Sequence, residues 1–351
     1  MMSFFADISQ HPVLSLNSLW FLLIGILFTG YVILDGFDLG VGTIHLFART
    51  DEERRSLINA IGPVWDGNEV WLVVGGGALF GAFPEVYATV LSGFYFAFIL
   101  LLFGLIFRAV SIEFRSKRPE FWWRQTWDVC FSIASVTCGF LIGVAMGNIV
   151  WGIPLNADHE YTGTFPDLLN PFAILMGITA VALFAMHGSI YIVLKTERLL
   201  QERARRWARN ATLFFVVTYV LTSIATLRFV PRMEQPFTNH PLLFILPVGN
   251  VLAIAGIFRA LNHMREFQAF LYSCLSIIAL MALFGVGMYP DLIVSQGDIN
   301  NSLNIYNSAS TQKGLTIMTI MACIGVPLVL TYSCWVYWVF RGKVKTESLH
   351  Y

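Results

Sequence analysis

Long apolar runs separated by short polar stretches dominate the chain. A bilayer span needs ~20 predominantly apolar residues. By that measure about nine candidate spans lie near residues 14–47, 58–80, 84–110, 127–151, 170–194, 207–230, 241–261, 267–289 and 314–340. The first is longer than a bilayer requires, so it is expected to tilt or to run past the membrane edge. A tight GAFPE turn at Pro84 separates the second and third spans. The fourth and fifth are joined by the polar, proline-punctuated WGIPLNADHEYTGTFPDLLNP, and the last two by a polar stretch from Pro290 to Lys313. No internal repeat or low-complexity segment is visible. The pattern predicts an all-α polytopic membrane protein, a single transmembrane domain over residues 1–351.

Charge placement adds an orientation. Of the 22 basic residues, 18 fall in the segments 48–57, 111–126, 195–209 and 258–266 and in the tail after Phe340. Arg108 sits at the same end, and only Arg228, Arg232 and Lys313 sit at the other. Basic residues favour the cytoplasmic side. Nine spans therefore place the N-terminus outside and the C-terminus in the cytoplasm. The opening segment, MMSFFADISQHPVLSLNSLW, lacks a basic leader and a small-residue cleavage site, so it is read as uncleaved.

Composition agrees: 56% of residues are hydrophobic and 13% charged, well under the roughly 25% charged of soluble domains. Net charge is zero, which gives no reason to expect a nucleic-acid partner. Cys130, Cys138, Cys274, Cys323 and Cys334 lie in apolar runs with no C-x-x-C spacing, an argument against zinc, c-type haem or a disulfide framework. The glycine strings GVG and VVGGGALFGAF lack the setting of a phosphate loop and suit close helix packing. Among seven histidines only His187 lies mid-span and His45 near a span end, so a paired haem-ligand set does not assemble, and His187 is expected to be a hydrogen-bonded core residue.

The candidate chemistry lies in two stretches, GYVILDGFDLGVGTIHL and IGPVWDGNEVW. They carry Asp35 and Asp38, and Asp66 and Glu69, each pair spaced i, i+3 and so expected on one helix face. An ionisable group in a membrane costs roughly 2.5–3.5 kcal/mol on insertion scales, so four need a reason. At 1.5 Å per residue, Asp38 and Asp35 stand roughly 15 and 20 Å from the first basic loop, and Asp66 and Glu69 roughly 12 and 17 Å. Arg108, Glu113 and Asp128 lie nearby, at the ends of the third and fourth spans. A one-sided ladder of carboxyl groups suits proton uptake from the cytoplasm towards a buried centre. The alternatives are that Asp38 or Asp66 caps a helix broken near Gly36, Gly40 and Gly42 or near Gly62, Pro63 and Gly67, or that the acids pair with Arg108. Trp65, Asn68 and Trp71 are read as supports.

These motifs resemble subunit II of cytochrome bd-type quinol oxidases. The resemblance continues through ERRSLINAIGPVWDGNEVWLVVGGGALFGAFPEVYATVLSGFYFA, RAVSIEFRSK, WRQTWD, GVAMGNIVWGIP, NPFAILMG, GMYPDLIVSQGDINNSLNIYNSASTQKGLTIM and YSCWVYWVF, and is weak only over about 196–265. It implies a heterodimer with a similar subunit I that carries haems b and d and the quinol site, and reduces O2 to water with cytoplasmic protons, without pumping. It also implies a possible structural quinone in subunit II and a small single-helix subunit. The aspartate of the W-D-G-N motif, matched by Asp66, would deliver protons, with Asp35, Asp38 and Glu69 as neighbours and Arg108 as an electrostatic anchor. Several members have glutamine where this chain has Glu69. Two rival readings are a stand-alone proton- or ion-coupled transporter, which also uses midplane acids and broken helices, and a purely structural subunit whose acids hold a partner.

Overall fold

The computed structural model describes residues 15–344. His11, Lys345, His350 and most of the opening segment read as uncleaved lie outside the described residues.

Helix α1 spans Leu16–Ile44, capped by Ser15, whose hydroxyl accepts from the Ser18 amide. At about 43 Å it exceeds the ~30 Å hydrocarbon core. A 3-10 turn, His45–Phe47, closes it. Helix α2, Asp51–Ile61, is capped by Thr50 and opens with Asp51, Glu52 and Glu53, which complement the helix dipole. It buries Leu57, Ile58 and Ile61 against the bundle.

The span expected at 58–80 is therefore not one helix. It breaks at residues 62–64 and resumes as α3, Trp65–Ala82. Pro63 lacks the amide hydrogen, and its ring would strike the carbonyl one turn back. The span expected at 84–110 is also divided, into α4 (Pro84–Gly93) and α5 (Tyr95–Phe114), with Phe94 between them. The rest follow as α6 (Phe121–Trp151), α7 (Pro171–Lys195), α8 (Arg198–Phe229), the short α9 (Gln235–Asn239), α10 (Ile245–Asn262), α11 (Glu266–Met288) and α12 (Gln312–Val339). Residues 198–209, expected as a loop, are the first turns of α8.

Among the described residues eight helices are long and apolar enough to cross a membrane. Helix α3 is not one of them. Its first turn holds Asp66, Asn68 and Glu69, and its glycines add little hydropathy.

The core forms where α1, α6 and α7 meet without intervening side chains. A Cβ on Gly40 would overlap the Phe184 carbonyl, and one on Gly188 would overlap the Gly40 backbone. Gly143 meets the α7 backbone at Gly177 in the same way. Small residues permit this approach, which maximises dispersion contacts where lipid offers no hydrophobic drive. Gly40→Ala is expected to force α1 from α7 and to cost about 1–3 kcal/mol or more. Its melting temperature in detergent should fall, and an unchanged value would contradict the contact.

Polar bonds gather the basic segments at one end. Arg203 bonds Glu53 at 2.5 Å, Arg205 meets Glu266 at 3.5 Å and Arg115 bonds Asp51 at 2.7 Å. Lys195 Nζ donates to the Phe340 carbonyl at 2.5 Å. The opposite end is capped by the two polar connections. A small antiparallel ladder of β1 (Asp291–Ile293) and β2 (Leu303–Asn304) lies beside the Ile153–Ser295 bridge. Asn17 fastens α1 to this cap through the Ile305 carbonyl, at 2.6 Å. Asp167 is held below the usual carboxylate range by the Thr164 amide and hydroxyl that donate to it.

Candidate functional site

Helix α5 buries one stripe, Gly104, Leu105, Arg108, Ser111 and Ile112, at helical spacing. Arg108 therefore points inward from an otherwise apolar helix and is fully buried. The lower half of α1 is enclosed on all sides, from Asp35 to Gly42. Both its aspartates are buried, although only one faces the arginine.

Arg108 clamps three helices. Its Nη1 donates to Asp35 Oδ1 at 2.6 Å and its Nη2 to Glu69 Oε2 at 3.0 Å. Charge-assisted bonds of this length are the strong ones. Asp35 has no exposure, whereas the Glu69 side chain retains 21%. Glu69 is thus the member of the trio that reaches the surface.

Asp38 belongs to a second, adjoining chain of bonds. Asn68 Nδ2 donates to Asp38 Oδ2 at 2.8 Å and to the Leu34 carbonyl at 3.2 Å. The Tyr337 hydroxyl, from α12, donates to Asn68 Oδ1 at 2.7 Å. Asn68 therefore joins α1, α3 and α12. Four buried polar atoms around these bonds have no hydrogen-bond partner within the protein: Tyr31 OH, Asp35 Oδ2, Asp38 Oδ1 and Arg108 Nε.

The structure thus brings together Asp35, Glu69 and Arg108, and sets Asp38 beside them through Asn68. Asp66 is apart. It lies in the first turn of α3 on the exposed face, with Gly67, Val70, Val73 and Val74. The expectation that Asp66 and Glu69 face the same way fails because each i, i+3 step rotates by about 60° short of a full turn. At the edge of the buried stripe, that rotation carries one side chain in and leaves the other out. Trp65 is buried, and Trp71 lies over Gly30 of α1, so both pack the helix in place.

Asp128 anchors a separate cluster at the basic end. It accepts from His45 Nε2 and Arg115 Nε, each at 2.5 Å, and from Arg54 Nη1 at 2.9 Å. These bonds lock α1, α2 and α6 together. Sequence reasoning counted Arg54 and Arg115 only as orientation charges, and it missed Tyr337. The separation in sequence is large, and only the aromatic YSCWVYWVF run hinted at a polar group there. Glu113 is half-buried and joins neither cluster through an ion pair among the described residues.

His187 is a core residue. Its Nδ1 lies 2.8 Å from the Ser273 hydroxyl and its Nε2 3.0 Å from the Ile33 carbonyl, and the ring stacks on Phe270.

Outward faces of three neighbouring helices remain apolar and uncovered. They include Val73 and Phe80 of α3, Phe103 and Ile106 of α5, and Ile320 and Met321 of α12. Asp66 lies on the first of these faces.

Residues 16–340 match the family described as cytochrome bd terminal oxidase subunit II. The chain is 36% identical to cytochrome bd-I ubiquinol oxidase subunit 2 of Escherichia coli (strain K12), over 95% of this chain and 96% of that protein. It is 33% identical to cytochrome bd ubiquinol oxidase subunit 2 of Bacillus subtilis (strain 168), over 95% and 98%. Its fold superimposes on a chain in the structure of bd oxidase from Geobacillus thermodenitrificans with a TM-score of 0.78, covering 93% of this chain and 98% of that one at 17% identity. A family match over most of the chain, near-complete coverage by these relatives and a shared helical fold lead to one assignment: the chain belongs to the cytochrome bd terminal oxidase subunit II family.

Proposed function

We propose that this chain conducts protons, through Asp66, Glu69, Asp35 and Asp38, to a haem-bearing subunit I with which it forms the oxidase. The complex of this family is a quinol:O2 oxidoreductase, and its haems supply electron transfer and O2 reduction when bound. The observation that carries the reading is Arg108. It links a fully buried carboxylate, Asp35, to a surface-reaching one, Glu69. The orphan oxygens Asp35 Oδ2 and Asp38 Oδ1 are places where a proton or water would remove the cost of an unmet buried group, about 1–3 kcal/mol each. Asp66, beside Glu69 but on the uncovered face of α3, is the residue that meets the partner. Asn68 and Tyr337 hold Asp38 in place, and Arg108 anchors the charges.

Haems b and d are assigned to subunit I. Both nitrogens of His187 are engaged, and His45 gives Nε2 to Asp128 and packs edge-on against Phe131. His187 therefore has no ring nitrogen left for axial ligation, whereas His45 keeps a buried Nδ1 without a partner within the protein. The ubiquinol oxidase names of the relatives support a quinol as electron donor and O2 as acceptor. A structural quinone in this subunit and a small single-helix subunit are further parts of the reading, as are membrane lipid around the bundle and residence in the bacterial cytoplasmic (inner) membrane.

Nine crossings, N-terminus outside and C-terminus in the cytoplasm, fit the bonds that gather all five basic segments at one end. Helix α3 must then cross, with its polar first turn at that end. The chain is read as one transmembrane domain. Turnover would be electrogenic without pumping, since protons enter from the cytoplasmic side only. Family membership does not favour a stand-alone proton- or ion-coupled transporter.

The test is a dithionite-reduced minus air-oxidised spectrum of material purified through a tag on this chain. A co-purifying partner with b- and d-type haem bands is expected. A colourless, monodisperse single chain would overturn the reading.

A further inference from the structure

At the basic end, a cavity of about 230 Å³ opens between the end of the first span and α8. It is lined by Phe47, Arg49, Arg203, Arg206, Trp207 and Asn210. Three guanidinium groups face one small volume. Only Arg203 is neutralised, by Glu53 at 2.5 Å, and the second Glu53 oxygen takes the Arg49 backbone amide at 2.8 Å. The side chains of Arg49 and Arg206 make no hydrogen bond or ion pair among the described residues. The pocket therefore carries an uncompensated positive charge that the proton site does not use.

Its position identifies the source of the anion that would fill it. Arg206 and Asn210 lie on α8 directly before an exposed apolar track, Leu213, Phe214, Val217, Leu221 and Ile224. The steps of three and four residues keep these on one helix face. Phe47 is 60% exposed, with its ring 6.3 Å from that of Trp207, an aromatic pair of the kind that lies at headgroup depth. A charged mouth continuous with a lipid-facing stripe matches a ligand with an anionic phosphate head and an apolar tail. Arginine recognises phosphate through its planar fork of donors. Basic pockets between helices at this membrane face bind anionic headgroups.

We propose that this cavity is a binding site for the phosphodiester headgroup of an anionic phospholipid, held by Arg49 and Arg206, with its acyl chains along α8. The site lies at the rim of the bundle, apart from the Arg108 cluster.

The test is native mass spectrometry of the intact complex in detergent, offered equal phosphatidylglycerol and phosphatidylcholine of matched chains. Wild type should retain phosphatidylglycerol preferentially. Arg49→Gln with Arg206→Gln should lower that preference by about thirtyfold, as expected for two basic contacts. Arg228→Gln, at the far end of the same helix, should leave it unchanged. Should the double variant not assemble, Arg206→Gln alone, at an exposed residue, should still lose about fivefold. Unchanged preference in the pocket variants, or equal loss in Arg228→Gln, would overturn the site. Inorganic phosphate forms the final arm. If it displaces nothing below ionic-strength effects, the lipid remains the ligand. If phosphate binds with the same arginine dependence and phosphatidylglycerol does not, the lipid assignment fails.

Discussion

Arg108→Met is expected to destabilise the bundle by about 3–5 kcal/mol, the largest structural effect of any single change in the site. Arg108 satisfies Asp35 at 2.6 Å and Glu69 at 3.0 Å, and it joins α5 to α1 and α3. Removing it leaves Asp35 as an unpaired charge at a position with no solvent exposure. The penalty arises from that stranded charge rather than from the net worth of the pair, since burying both ions already cost desolvation. Adding Asp35→Asn should therefore recover much of the loss, because a neutral amide leaves no charge behind. The measurements are melting temperature and yield of the assembled complex. If Arg108→Met melts with wild type, or if the second change gives no recovery, the ion cluster does not hold these helices.

Asp66→Asn is expected to act on turnover instead. Asp66 lies on the exposed face of α3 and makes no ion pair among the described residues, so an isosteric amide disturbs no packing. It does remove a group able to accept and release a proton. Quinol oxidase turnover should fall by about tenfold or more, a barrier increase of at least about 1.4 kcal/mol. Haem content and melting temperature should stay at wild-type values. Turnover that remains normal would take Asp66 off the proton route. Loss of the partner together with the haem would show instead that Asp66 holds the interface. Glu69→Gln separates Asp66 from its neighbour. The amide oxygen still accepts from Arg108 Nη2, so the complex should assemble. A turnover loss matching that of Asp66→Asn would place Glu69 on the route, and wild-type turnover would leave it as an anchor.

The helices of this chain were largely legible in its hydropathy. The spans read near 170–194, 241–261 and 314–340 differ by only a residue or two from Pro171–Lys195, Pro241–Asn262 and Gln312–Val339. Apolar length is a local property, and a bilayer demands it of each helix separately. Two breaks inside apolar runs, at residues 62–64 and at Phe94, escaped that reading. Hydropathy is averaged over a window of about 19 residues, whereas a proline or a single residue ends a helix. Pro63 carried the signal for the first break. The second followed Gly93 and had only its weak helix propensity to mark it.

The acids were legible as residues that needed partners, because charge in an apolar run is conspicuous whatever the fold. Arg108 was visible in the same way, as the one cation inside its run. Which acid it would take was not. Asp35, Glu69 and Arg108 stand on three helices, and their meeting depends on the crossing of α1, α3 and α5 and on the rotation of each about its axis. The roughly 60° between positions three residues apart decides that Glu69 turns towards Arg108 and Asp66 outward. Asn68 received Tyr337 from the far end of the chain for the same reason. The sequence by itself determined that this is a helical membrane protein, that its basic residues would gather at one end, and that four acids near the start of the chain had to be accommodated. The tertiary structure decided which of them are clamped, which one faces out, and where Arg49 and Arg206 share a cavity beside α8. Burial and helix length are set by each segment's own composition, whereas ion pairs and pockets depend on distances of a few ångströms between helices remote in sequence.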